Sequence, residues 1–447
     1  MQIGGPISLA APARFPAMPP AEADVVVIGG GIAGVMTALY LAEAGQRVVL
    51  CEKGRIAGEQ SSRNWGWVRQ QGRDPDELPI MIEALRLWQG LDQRLGEGVS
   101  LRRSGTTYLA NSEADLANFE AWLPHARAHG LDTRMLGRAE LDQMLPNAAG
   151  WVGALTTPSD ARAEPWTAVP AIAGLAAEAG VTICETCAVR GIETTGGRVS
   201  GVVTEKGRIA ADRVLLAGGA WSSLFAGNAG IWFPQLSVRA TVAATEAMPD
   251  FHAGNAADQG FAFRRRADGG YTLAPGIGHD FWIGPAAFRN LANFLPQVRR
   301  DLRHTRLSPA APKGFPDAWS TKRRWDLDAV SPFEAMRVLD PVPNLTRIER
   351  LRGDFAAAFP KLGKPAIVRA WAGMIDVTPD QVPILDETSV PGFFIATGLS
   401  GHGFGIGPGV GRVMADRMLG RATGHDLARF RFARFSDGSK IELGPSI

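Results

Sequence analysis

Apolar and polar positions along this chain change period several times, and each period predicts an element. Val25-Val26-Val27-Ile28 is an unbroken apolar run closed by glycine, the pattern of a strand buried on both faces. A helical pattern follows to about Ala44, and Gly45 supplies its stop. Val48-Val49-Leu50-Cys51 is a second buried run, ending at Glu52. Strand, glycine turn, helix and strand make one half-unit of a doubly wound α/β sheet.

Beyond a loop at 54–74 rich in Gly, Ser and Arg, the residues Leu78, Ile82, Leu85 and Trp88 predict an amphipathic helix over about 75–95. Further helices are expected over 113–129, 138–145 and 165–179. Between 181 and 216 short apolar runs alternate with turns at Gly196-Gly197 and Lys206-Gly207, which reads as a β-meander. From about Gln235 strand-like alternation, aromatic residues and Arg dominate, with a turn at Asp268-Gly269-Gly270 and a charged helical stretch over 289–306. Glycine-rich strand–turn–helix character returns over roughly 370–420. These shifts predict a flexible tail at 1–23 and a nucleotide-binding domain at 24–234 with helical insertions. A substrate domain at 235–370, a second nucleotide-binding part at 371–420 and a C-terminal tail at 421–447 complete the expected order.

Composition narrows the class. In 447 residues, 45% hydrophobic and 21% charged is ordinary globular usage, and a net charge of +2 points to neither nucleic acid nor a membrane surface. Only seven of the 47 basic residues are Lys, so few lysines are available for chemistry. The three cysteines, Cys51, Cys184 and Cys187, are too few and odd in number for a disulfide framework. Cys184 and Cys187 lie three apart on an expected strand and so point to opposite faces, which favours buried structural thiols over a metal or redox pair. Residues 1–23 lack the basic start and compact apolar run of a secretory signal, and no apolar stretch is long enough to span a membrane. A cytoplasmic protein is the expectation.

The chemistry starts at Gly29-x-Gly31-x-x-Gly34, placed between a buried strand and a helix. Gly29 permits the tight turn, Gly31 lets backbone approach a pyrophosphate, and Gly34 allows close helix–strand packing. The helix N-terminus offers unpaired N–H groups and partial positive charge to the phosphates. Glu52, 18 residues beyond Gly34, ends the second strand where a carboxylate can accept ribose hydroxyls. The fingerprint establishes a dinucleotide site without choosing between FAD and NAD.

Later segments resemble the D-amino-acid oxidase superfamily of flavoproteins, the group of glycine oxidase, sarcosine oxidase and γ-glutamylputrescine oxidase. They are Ser61-Ser62-Arg63-Asn64-Trp65-Gly66-Trp67, the 216–221 strand end, Trp371-Ala372-Gly373-Met374-Ile375-Asp376-x-Thr378-Pro379-Asp380, and Gly398-x-Ser400-Gly401-His402-Gly403-Phe404-Gly405. The resemblance covers most of 24–420. It implies an α/β fold: an FAD-binding Rossmann-like domain of the glutathione-reductase type, with an inserted α+β substrate domain on a mostly antiparallel sheet. It also implies FAD contacts from Gly29, Gly31, Ile32, Ala33, Gly34, Glu52 and Lys53, and from Ser61, Ser62, Arg63, Asn64, Trp65, Gly66 and Trp67. Val189, Ala217, Gly218 and Trp221 are expected on the adenosine side. Gly373, Asp376, Gly401, His402, Gly403, Phe404 and Gly405 are expected at the flavin edge. Gly373 stands where sarcosine oxidase has its flavin-linking Cys, so the FAD should be non-covalent. No metal is expected.

What the family does implies the reaction: an amine or amino acid gives hydride from the carbon beside nitrogen to the flavin, and the imine hydrolyses. Two family anchors for a substrate carboxylate are replaced here, an Arg by Ile375 and a Lys by Gly405. Arg69 is the expected substitute, since guanidinium binds carboxylate in a fork, and His402 the expected substrate-side histidine. Trp67 and Trp371 are candidate walls. Arg264-Arg265-Arg266 reads as mostly solvated, and His279-Asp280 is not expected to form a dyad. The lysine that speeds reaction with oxygen in sarcosine oxidases has no counterpart in 270–285, where Trp282 falls near its place. The electron acceptor is therefore oxygen or a quinone- or dye-type molecule, with slow reaction toward oxygen expected. Three functions compete. The first is a stand-alone FAD-dependent amine or amino acid oxidase or dehydrogenase, alone or as a homo-oligomer. The second is the flavin-bearing subunit of a multi-protein amino acid or opine-type dehydrogenase. The third is an NAD-dependent dehydrogenase or a non-catalytic dinucleotide-binding protein.

Overall fold

A computed structural model describes residues 1–276, 278–301 and 305–445. The nucleotide-binding core is a six-stranded sheet in the order 182–184, 48–51, 25–28, 213–216, 393–397, 384–387. Its first five strands are parallel and the last pairs antiparallel at the edge. Every residue of Val25–Ile28 and Val48–Cys51 is buried, because helices 32–43, 165–178 and 403–418 pack on one face of the sheet and the strands of 189–210 with helix Ser222–Asn228 on the other. From strand Val25–Ile28 the chain builds outward through 48–51 and 182–184 on one side, and through 213–216 and 393–397 on the other. The crevice beyond the strand ends at such a reversal of order is where α/β sheets bind ligands. The pairing of 393–397 with 213–216 joins the 24–234 and 371–420 segments in one sheet.

Glycines set how closely the helices stack. A Cβ on Gly407 would lie 2.4 Å from Ile32, one on Gly411 2.4 Å from Met36, and one on Gly409 2.6 Å from the Ile80 carbonyl. Helix Gly403–Met418 thus lies backbone-close to helix Ile32–Glu43 on one side and Leu78–Leu95 on the other. This contact brings the C-terminal motif against the N-terminal fingerprint.

The second sheet has eleven strands and is largely antiparallel. Its spine is the long pair 236–247 and 367–377, in register from Leu236↔Val377 to Thr245↔Ile367. Strands 270–275, 261–265 and 255–257 follow, and then 106–110, 153–157 and 134–136. The last three come from the segment expected to belong wholly to the nucleotide-binding part. Asn255–Ala257 pairs parallel with 106–108 and carries this earlier chain into the second sheet.

Other expectations change as well. The 1–23 segment is not a free tail: Gln2–Ile3 adds a parallel strand beside 369–370, and Glu185 accepts the backbone N–H groups of Arg14 and Phe15 at 2.6 and 3.0 Å. The 421–447 segment packs as well, with Phe430 buried and Arg434 holding Asp380 through two bonds of 2.8 and 3.0 Å. The meander is real only over 189–210, because 182–184 and 213–216 join the parallel sheet. The charged stretch forms helices Pro285–Arg289 and Leu291–Asp301, while 302–304 lie outside the described residues. Arg264 and Arg266 are buried rather than solvated. Arg264 forks onto Glu164 at 2.8 and 3.1 Å, and Arg266 bonds the carbonyls of Tyr271 and Thr245. The three cysteines are buried free thiols, with Cys184 opposite Cys51 in the sheet register. No described helix is long and apolar enough to cross a membrane.

Candidate active site

One cavity of about 670 Å³ runs from the fingerprint at the core sheet to the face of the second sheet. At its nucleotide end Gly29 has φ +110°, and a Cβ there would sit 2.4 Å from the Ala217 carbonyl. A Cβ on Gly34 would sit 2.0 Å from the Gly29 carbonyl, so both positions exclude any side chain. Ser61 Oγ accepts the Ile32 N–H at 2.9 Å and fastens the serine turn to the helix N-terminus. Glu52 accepts N–H bonds from Gly30 at 2.8 Å and Gly54 at 2.6 Å, which leaves each carboxylate oxygen a free lone pair. Burial pushes its pKa up to about 7.

Beside it Lys53 pairs with Glu59 at 2.7 Å and lies 4.4 Å over the Trp221 ring, whose Nε1 also donates to Glu59. Glu59 is the organiser of this corner, and sequence reasoning missed it: a lone acid in a polar loop carries no signal. Ile32, Ala33, Val189, Ala217, Gly218 and Trp221 all line the cavity.

In the middle, Arg63 is buried and bonds the carbonyls of Gly58 and Ala372 and the carboxylate of Asp340. Asn64 accepts the Gly66 N–H at 2.8 Å and shapes the turn into Trp67. Asp376 is no simple turn former. Its Oδ2 takes the Gly398 N–H at 2.7 Å, the Thr397 hydroxyl at 3.1 Å and the Gln235 amide at 3.1 Å, and its carbonyl takes the Ser400 N–H. It therefore pins the glycine-rich loop that opens helix Gly403–Met418. Asp380, by contrast, is spent on Arg434 and does not line the cavity.

The far end is aromatic. Trp65, Trp67, Tyr108 and Phe119 line it, with Trp65 and Trp67 edge to face at 5.2 Å. Arg69 stacks over Tyr108 at 5.6 Å; its single hydrogen bond is to the Gln71 carbonyl, and among the described residues it has no ion-pair partner. His402 lines the cavity beside Arg73, and its Nδ1 lies 3.6 Å from Glu77 Oε2. Behind them, Arg73 Nη1, both Glu77 carboxylate oxygens, Gln71 Nε2 and His402 Nδ1 are buried without a hydrogen-bond partner among the described residues. Burial and Arg73 push the His402 pKa down to about 4, so the ring is neutral at pH 7. Burial alone would raise the Glu77 pKa, but His402, Arg73 and Arg69 outweigh it and hold Glu77 ionised.

Both expected catalytic residues, Arg69 and His402, thus meet in the cavity. Arg73, Glu77 and Tyr108 were missed, since an Arg in a loop, an acid before a helix and a Tyr in a distant strand look ordinary one at a time. Gly34, Ser62, Gly66 and Gly405, expected as cofactor contacts, do not line the cavity. Gly66 makes room for Arg264 and the Ala163 carbonyl, Gly405 packs on Trp67–Val68, and Ser62 turns to the Glu59 carbonyl. Trp371 is buried behind the wall and donates to the Arg63 carbonyl. In the 270–285 stretch, Gly276 and His279 line the cavity, Trp282 packs against Arg239 and Phe315, and Ile277 lies outside the described residues.

The nucleotide end fits FAD. It has two glycines that tolerate no Cβ, a helix N-terminus, and a carboxylate with spare lone pairs at the second strand's end. The mostly parallel core sheet, the largely antiparallel second sheet and the cavity bridging both are the frame of a flavoprotein oxidoreductase. The family described as FAD dependent oxidoreductase (DAO) matches residues 24–417, and the chain belongs to it. It is 32% identical to the solved L-amino acid deaminase from Proteus myxofaciens in complex with anthranilate, with a TM-score of 0.90 over 98% of each chain. It is 27% identical to sarcosine oxidase subunit beta of Rhizobium meliloti, covering 97% of this chain and 93% of the relative. The subunit of the same name from Rhodobacter capsulatus is 24% identical, over 94% and 90%. The reading of the motifs as those of an FAD-dependent enzyme oxidising a C–N bond stands with these relatives.

Proposed function

We propose that this enzyme oxidises the Cα–N bond of an α-amino acid, that Arg69 holds the substrate carboxylate, and that the FAD is non-covalent. The observation that carries the reading is Arg69 itself: a cation on the cavity wall, braced by Tyr108 and without an ion-pair partner among the described residues. Such a guanidinium is pre-organised to fork a carboxylate. The likeness to L-amino acid deaminase at 32% identity supports an amino acid over a simple amine.

FAD, when bound, supplies the hydride acceptor. The chain's own groups do the rest. Arg69 fixes the carboxylate, and with it the direction in which the Cα–H points. Trp65, Trp67, Tyr108 and Phe119 displace water from around the substrate side chain and favour an apolar or aromatic one. Neutral His402 adds no second positive charge beside the substrate nitrogen, which must lose its proton before hydride can leave. The imine is then hydrolysed by water to a keto acid and ammonia.

The test is anaerobic bleaching of the bound flavin by a panel of amino acids and by their decarboxylated amines. Amino acids with apolar side chains should bleach it and the amines should not. Bleaching by the amines at comparable concentration, or an Arg69→Ala enzyme with unchanged KM, would remove the carboxylate from the reading.

A second reading has its own support. The similarity to a protein named as a subunit extends over 97% of this chain, in keeping with a flavin-bearing subunit whose partners take the electrons. Activity of the purified chain with an artificial acceptor, together with its co-purification with other polypeptides from the source cells, would favour that form.

A further inference from the structure

A separate void of about 220 Å³ opens at strand Ala161–Arg162, which pairs with Trp67–Val68. Four guanidiniums line it, those of Arg102, Arg162, Arg265 and Arg266, against a single lining carboxylate, Glu97. Three of them have partners: Arg102 pairs with Glu97 at 3.1 Å, Arg265 with Asp250 at 3.5 Å, and Arg266 with Asp268 at 2.9 Å. Arg162 is different.

The Arg162 side chain is only 9% exposed, and its Nε donates to the Ala253 carbonyl at 3.1 Å. Its Nη1 is buried with no hydrogen-bond partner among the described residues. The nearest carboxylate, Glu164, is 3.8 Å away and already committed, to Arg264 at 2.8 and 3.1 Å and to the Ala267 N–H at 2.9 Å. A buried guanidinium without full compensation is costly. Burial and Arg264 push the Arg162 pKa down to about 10. Of the four guanidiniums, Arg162 is therefore the one whose charge no carboxylate within hydrogen-bond length balances.

We propose that this void binds a phosphoryl group, that of inorganic phosphate or of a small phosphorylated metabolite. Guanidiniums present paired N–H donors that match the oxygens of such an anion, and several around one void suit a charge of two better than a halide. The site is distinct from the flavin cavity. Arg162 and Trp67 are register partners across the two short strands, so a bound anion would stiffen the strand that carries the cavity wall at Trp67.

The test uses the FAD-saturated enzyme, so that the pyrophosphate site is already filled. Sodium phosphate at about a hundred times its Kd should raise the melting midpoint by roughly 2–3 °C relative to sodium chloride of equal ionic strength. Arg162→Met should lose that shift. Arg102→Gln, on the exposed rim, should weaken phosphate several-fold in calorimetry and keeps the test open if the buried variant fails to fold. Glycerol 3-phosphate binding more tightly than phosphate would assign the site to a metabolite, and the reverse order to the free ion. Equal stabilisation by chloride, or an unchanged phosphate affinity in a folded variant, overturns the proposal.

Discussion

His402 Nδ1 stands 3.6 Å from the carboxylate of Glu77, a group that never reaches the cavity surface. The gap is just beyond hydrogen-bond length. An ionised Glu77 beside a neutral imidazole favours the ring's proton on Nδ1, the nitrogen nearest the carboxylate, over Nε2. Glu77 is in that sense a positioning residue. Glu77→Gln should lower kcat/KM by roughly ten- to a hundred-fold, the cost of about 1–3 kcal/mol for a buried polar group left mispaired. Nitrogen NMR of labelled histidine should show the His402 tautomer shifting in the variant. An unchanged tautomer population would show that Glu77 does not set the ring.

Glu52 gives the FAD affinity a pH dependence of definite sign. Its pKa in the cavity is pushed up to about 7, so near neutrality the carboxylate is only partly ionised. Ribose hydroxyls donate to the ionised form and stabilise it, so binding should strengthen as pH rises from 6 to 8 and then level off. Glu52→Gln should flatten that profile and weaken binding roughly tenfold or more above pH 8. Fluorescence titration of the apoprotein with FAD reads both, and a wild-type profile already flat would exclude Glu52 from the ribose.

Gly34 and Gly45 separate crowding from backbone strain. Gly34→Ala drives a Cβ to 2.0 Å from the Gly29 carbonyl, so the variant should lose FAD or fail to fold. Gly45 also has positive φ, +83°, but nothing lies within 4 Å of its Cβ position. Gly45→Ala should cost only about 1 kcal/mol and keep its FAD. Absorbance of the purified variants near 450 nm reports occupancy directly.

Denaturation should release the flavin. Gly373 lines the cavity packed directly on the Arg63 side chain, 3.4 Å from where its Cβ would stand, and of the three cysteines only Cys51 lines the cavity, at the nucleotide end beside Glu52. Acid precipitation should leave yellow supernatant and a colourless pellet, whereas colour retained by the polypeptide would mean a covalent link.

Reduced enzyme should react slowly with oxygen and faster with a quinone or dye. Lys53 is the lysine among the lining residues described, and it is held by Glu59 at the nucleotide end, away from the aromatic end. Stopped-flow mixing of the reduced protein with air-saturated buffer measures the rate. Reoxidation as fast as reduction by substrate would make this an oxidase and show that an arginine or His279 supplies the charge that oxygen needs.

The dinucleotide site was legible in the sequence because it is local. Strand, glycine turn, helix and acid occupy fewer than thirty consecutive positions, and backbone geometry within that span demands two of the glycines, Gly29 by its φ of +110° and Gly34 by its contact with the Gly29 carbonyl. The helices over 113–128 and 165–178 were legible for the same reason, since periodicity reports which face of an element is buried. It does not report what covers that face. Only the tertiary structure decided that 106–110 and 153–157 belong to the second, eleven-stranded sheet, and that Gln2–Ile3 is a strand at all. Charge was the least legible property. Arg264 looked solvated until the fold brought Glu164, a hundred residues earlier in the chain, against both its nitrogens. Arg73, Glu77 and His402 likewise come together only because helix Gly403–Met418 lies against the start of helix Leu78–Leu95. An ionisable side chain is stable out of water only beside its partner, and the distance along the chain to that partner leaves no mark on local pattern.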